Sequence, residues 1–121
     1  MKDNVIKHKS YKFALRIIGL YKYLVSNKKE FVIAKQVLRS GTSIGANVEE
    51  AIGGQSDKDF ISKMSIAYKE ARETNYWINL LEDSGYIDVK AAESIKKDCI
   101  ELCRIIARIK MTMKSKNKNN S

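Results

Sequence analysis

Proline is absent from the 121 residues, and histidine and tryptophan occur once each, as His8 and Trp77. Without proline nothing forces a break in a long helix. A single histidine excludes the di-iron type of helical bundle, which takes Glu-x-x-His pairs from two helices. No apolar run approaches the ~20 residues a membrane-spanning helix needs. The opening residues, MKDNVIKHKSYK, lack the apolar core of a secretory signal. Strand-type alternation is not sustained anywhere, so no sheet is expected. Only two cysteines occur, Cys99 and Cys103, four apart on one helix face. They read as small packed residues rather than a disulfide, which suits a reducing cytoplasm.

What is present is positive charge and helical periodicity. The net charge is +9, unevenly spread. Residues 1–30 carry eight Lys/Arg against two acids, and residues 89–121 carry nine against three. Residues 57–88 are net acidic, with four against seven. A basic excess confined to the two ends suits an anionic partner, nucleic acid first; plain solubility suits it too.

Apolar residues recur at alternating spacings of three and four in four stretches. The first stripe reads Ala14, Ile17, Tyr21, Leu24, widened by Tyr11, Ile18 and Val25. The second reads Ala34, Val37, Gly41, Ile44, Val48, Ala51. The third reads Phe60, Met64, Ala67, Ala71, Thr74, Ile78, Leu81, and the fourth Ala92, Ile95, Cys99, Leu102, Ile106, Ile109, Met113. Each is the seam of a helix packing at a shallow angle. Ser56 with Asp59 forms a capping pattern, Ser84–Gly85 stops a helix, and Asp88 can cap the next. The spacing predicts an all-α, antiparallel up-down-up-down four-helix bundle over residues 1–114, with helices at about 8–26, 31–52, 57–84 and 88–114. Residues 115–121 are expected to form a basic disordered tail.

That topology brings both basic runs to one end of the bundle. Lys7, Lys9 and Lys12, with Lys2, then lie near Arg108, Lys110, Lys114, Lys116 and Lys118, forming a basic pole able to hold RNA or DNA phosphates. Tyr11 lies nearby, but its stripe position points to core packing.

The segment RSGTSIGANVEEA, Arg39 to Ala51, is poor in helix propensity yet in register with the second seam. Gly41 and Gly45 sit one turn apart on the packing side. Each glycine costs roughly 1 kcal/mol against alanine, so a neighbouring backbone is expected to come close. That neighbour is either another helix of this chain or a second subunit. Arg39, Ser43, Asn47 and Glu50 form a polar row beside Ser40. Small polar side chains favour a face that meets another surface over one that meets water. Trp77 lies beside the third seam with Tyr76 next to it, so one ring points away from the core and is expected at a subunit contact.

Catalytic constellations are missing. GTSIG lacks the Lys-Ser/Thr and the preceding strand that a phosphate-binding loop requires. Ser43 has no identifiable base, and the carboxylates Glu49–Glu50 and Glu70–Glu73 read as salt-bridged helix faces rather than a metal site. The chain is expected not to be an enzyme and to use no cofactor or metal.

The motif LRSGTSIGANVEEA (Leu38 to Ala51) followed by DFISKMSIAYKEARETNYWINLL (Asp59 to Leu81) resembles the bacterial 23S ribosomal RNA intervening-sequence proteins. The matching positions are Arg39, Ser40, Gly41, Ser43, Gly45, Asn47 and Glu50, then Lys69, Glu70, Glu73 and Tyr76–Trp77. The resemblance implies a four-helix bundle assembled as a homo-oligomer, in the form of a ring-shaped homopentamer. It also relates the chain to accessory proteins of diversity-generating retroelements, which work with a reverse transcriptase and nucleic acid. On that basis the polar row with Gly41, Gly45 and the Tyr76–Trp77 pair is assigned to the oligomer interface. A protein–protein assembly module that binds no nucleic acid is the alternative.

Overall fold

The computed structural model describes the backbone of residues 2–120 and the side chains of residues 5–116. Four helices follow one another: α1 Lys2–Lys28, α2 Val32–Ile52, α3 Asp57–Asp83 and α4 Val89–Asn120. Contacts join α1 to α2, α2 to α3, α3 to α4 and α4 back to α1, closing a ring with no diagonal pair among the described residues. Residue pairing fixes the antiparallel sense. Gly41 meets Ile17 while Gly45 meets Ser10; Lys63 pairs with Glu50, and Lys96 with Glu82. Arg16 reaches Asp98 while Lys9 reaches Glu101. The arrangement is up-down-up-down.

The helix ends follow from local chemistry. Lys29 turns the chain with φ 55°, and the Glu30 carboxylate accepts from the Ala34 amide at 2.8 Å to open α2. Ser56 accepts the Asp59 amide at 3.1 Å, satisfying an orphan donor of α3. Gly85, at φ 83°, ends the third helix, and the Tyr86 amide closes back on the Leu81 carbonyl. Asp88 Oδ1 accepts from the Ala91 amide at 2.7 Å and caps α4. No glycine or proline follows Gly85, and α4 runs on through Asn120 instead of ending at 114.

The seams of α2, α3 and α4 lie where the periodicity puts them. Val37, Ile44, Val48, Met64, Ala71, Ile78, Leu81, Cys99, Leu102 and Ile106 are all buried. On α1 the phase differs. The buried row is Ile6, Ser10, Phe13, Ile17, Leu20 and Leu24, so Phe13 and Leu20 replace Ala14 and Tyr21 at the seam. Apolar residues surround this helix, including the exposed Leu15 and Tyr23, and a stripe can be drawn in either phase. Tyr11 falls on the outer side, 65% exposed, and does not pack in the core.

Candidate functional site

The low-propensity segment of α2 is helical throughout, and its glycines face α1 of the same chain. A Cβ on Gly41 would lie 2.8 Å from Cγ1 and Cγ2 of Ile17. One on Gly45 would lie 3.4 Å from the Ser10 carbonyl oxygen. The close approach is therefore α1 against α2. On the other flank Ser40 is fully buried against α3, its hydroxyl 2.9 Å from that of Thr74. Ser40 and Gly41 thus have their partners within the chain, which removes them from any set available to a second subunit.

The rest of the polar row also has work inside the chain. Arg39 Nη1 donates to both oxygens of Glu70, at 3.1 and 3.2 Å, while Nη2 pairs with Glu73. Trp77 Nε1 donates to the same Glu73 carboxylate at 2.9 Å. One guanidinium thereby ties α2 to α3 and fixes the indole. Thr42 and Ser43 donate back to the Leu38 and Arg39 carbonyls at 2.7 and 2.6 Å, and Asn47 to Ser43 at 2.8 Å. Such back-bonding lets small polar side chains satisfy themselves on the helix. Glu50 remains exposed and pairs with Lys63 at 2.8 Å. Trp77 is half-buried, whereas Tyr76 is 58% exposed and stacks edge-on against it at 5.0 Å.

The beginning of α1 and the later turns of α4 do share one end of the bundle, but their cations differ. Lys7 pairs with Glu49 at 3.5 Å and Lys9 with Glu101 at 3.3 Å. Lys12 lines the α1–α4 groove beside Arg16, Asp98 and Glu101. Arg108, Lys114 and Lys116 are exposed and have no ion-pair partner among the described residues. Lys110 lies over the Tyr68 ring, 5.2 Å from its centroid. The side chains of Lys2 and Lys118 fall outside the described residues. The charge count treats all these residues alike; the pairing separates them.

Sequence reasoning missed three cations on the other side of α4. Arg72, Lys97 and Arg104 line the groove between α3 and α4, together with Tyr68, Asn75 and Ile100. A usable signal was the spacing of Lys97, Arg104, Arg108 and Met111, which puts four exposed side chains on one outer face of α4. Lys96, deeper in the groove, is held by Glu82 at 2.8 Å, and that hydrogen bond raises its pKa above the ordinary lysine value. Cys103 stands at the groove wall. The neighbouring Cys99 thiol, aided by the charge of Arg72, holds the Cys103 thiol below the usual range. Cys99, whose Sγ donates to the Ala71 carbonyl at 3.1 Å, shifts the opposite way, through its interaction with Cys103 and through burial. Among the described residues no three His, Cys, Asp or Glu side chains converge to hold a metal ion.

The family model for the 23S rRNA-intervening sequence protein matches residues 2–108. The chain belongs to this family. A search of curated proteins finds no match. Among solved structures, the chain is similar to a protein of unknown function from the S23 ribosomal protein family of Bacteroides thetaiotaomicron VPI-5482. The two share 54% identity and a TM-score of 0.91, over 92% of this chain and 99% of that one. The matched span of this family member takes in both the α2–α3 polar cluster and the cations from Arg72 to Arg108, and stops short of the lysines beyond.

Proposed function

We propose that this protein is a non-catalytic, homo-oligomeric accessory factor of the cytoplasm that holds RNA or DNA by its phosphates. The observation that carries the reading is the set of exposed cations along α4 with no ion-pair partner among the described residues, Lys97, Arg104, Arg108, Lys114 and Lys116, next to the lysines that begin α1. A row of unpaired cations attracts a polyanion and releases its counterions on contact. The family description, naming a ribosomal RNA intervening sequence, supports an RNA partner. Among the described residues no helix is long and apolar enough to cross a membrane.

The test is RNA affinity measured against salt. Binding should weaken linearly on a log–log plot, by about 0.9 for each duplex phosphate neutralised. Replacing Lys110, Lys114, Lys116 and Lys118 with glutamine should weaken binding alike for all sequences and flatten the slope. A slope near zero for the native chain rejects the reading.

Self-association into a homopentamer belongs to the same proposal and is read by sedimentation. One surface favours it. The outer side of α1 exposes Tyr11 and Leu15, and Gly19 there has nothing within 4 Å of a would-be Cβ. A mid-helix glycine with no neighbour in its own chain has no packing reason within the monomer. The same surface supports the runner-up, an assembly module that binds a protein partner such as a reverse transcriptase.

A further inference from the structure

The groove between α3 and α4 has the chemistry of a site for an unpaired nucleobase. We infer that a single strand held by the cations of α4 places one base in this groove, against Tyr76 and the Asn75 and Asn79 amides. The inference rests on the nucleic-acid reading above and gives it a strand preference.

Four observations carry it. First, the space is there: a groove of about 420 Å³ lies between Tyr68, Arg72, Asn75, Tyr76, Ile100 and Cys103. Asn75, Asn79 and Ile100 also line the adjoining space toward Lys97 and Arg104. Second, an aromatic face is available. Tyr76 is exposed at the groove edge, braced from behind by Trp77. Aromatic side chains held in this way are platforms for unstacked bases of any sequence.

Third, Asn75 lines the groove and has an unspent polar atom: its Oδ1 is buried with no hydrogen-bond partner among the described residues. A base meets this oxygen only after the amide turns toward the groove, where it can present a donor or an acceptor. Asn79, one turn on, is already oriented by Lys96 at 3.1 Å. Fourth, the charge is complementary. Arg72, Lys97 and Arg104 have no acid partner among the described residues. Glu82 and Glu93 share Lys96, so that trio keeps one net negative charge against the three positive charges of Arg72, Lys97 and Arg104. From Lys97 the outer face of α4 continues through Arg104 to Arg108, a track for the flanking phosphates.

A duplex cannot use the groove without opening, because its bases are stacked and paired. The only tryptophan sits 5.0 Å behind Tyr76, so its emission reports the site directly. The experiment uses the full chain with a single-stranded RNA of about 12 nucleotides and the blunt duplex of the same sequence. Trp77 emission should change with the single strand and not with the duplex. Tyr76→Ala should lower single-strand affinity roughly tenfold, the loss of one stacked base, and leave duplex affinity unchanged. Tyr76→Phe should retain both. Arg104→Gln should weaken the single strand more than the duplex.

If Tyr76→Ala and Trp77 emission are indifferent to the single strand while the lysine variant of α4 still loses binding, the groove inference fails and the phosphate reading stands. If the native chain binds neither strand, both fall. If Tyr76→Ala and Ile100→Glu instead change the sedimenting mass, the groove holds a second copy of this chain and the base site is overturned.

Discussion

The two flanks of this bundle treat their polar groups in opposite ways. Where α2 packs between α1 and α3, Lys7, Arg39, Lys63 and the Ser40 hydroxyl are matched within the chain. Arg39 is divided between Glu70 and Glu73, Lys7 and Lys63 bridge to Glu49 and Glu50, and Ser40 meets Thr74. Along α4 and its groove with α3, only Lys96 among the described cations has an acid partner. Its acids Asp98 and Glu101 are consumed by α1, through Arg16 and Lys9. The first flank spends its polar groups on specifying the fold. The second leaves them for something outside the chain.

The comparison breaks most readily at Gly41. Gly41→Leu drives a side chain into Ile17 and should cost about 3 kcal/mol or more, the upper range for overpacking. A urea midpoint shift reads it directly; an unshifted midpoint would mean that α1 does not approach α2 as described. Next is a pair of arginines. Arg39→Ala leaves the Glu70 carboxylate, only 17% exposed, without its cation, and should cost about 1–2 kcal/mol, short of a buried pair because Arg39 is itself half exposed. Arg104→Gln should stay within about 0.5 kcal/mol in stability, as surface changes do, and show instead in RNA affinity. Equal stability losses for the two would erase the distinction between the flanks. The smallest effect is chemical. Cys103, half-buried beside Arg72 and shifted toward thiolate, should be alkylated before the buried Cys99, with the fold retained. Mass-mapped labelling that favours Cys99 would contradict the groove geometry.

Much of this was legible in the sequence, for a physical reason. Helices α2 to α4 carry one apolar stripe each, and a single stripe has a single phase. Helix α1 carries Tyr11, Leu15, Ile18 and Tyr23 outside the seam, so periodicity alone misplaced Tyr11 and passed over Phe13 and Leu20. The glycine motif was legible as a close approach, since two glycines in a helix need a neighbour. Which neighbour was not, because the sequence does not say whether Ile17 or a second subunit faces Gly41. The basic pole was legible as charge and topology. That Lys7 and Lys9 are paired, whereas Arg108 and Lys114 are not, depends on cross-helix distances that no count contains. Arg72, Lys97 and Arg104 escaped because their shared groove is made by two helices, and neither helix announces it alone.

On the proposed reading, the cations of α4 that lack a partner among the described residues, and not paired ones on the opposite flank, hold nucleic acid. The salt slope of RNA binding in two variants decides this. Arg104→Gln with Arg108→Gln and Lys114→Gln should flatten the log–log slope by about two to three. Lys63→Gln, which removes a cation paired with Glu50 on the opposite flank, should leave it nearly unchanged. Equal slopes in both variants and the native chain, or a loss confined to the second, would contradict the account.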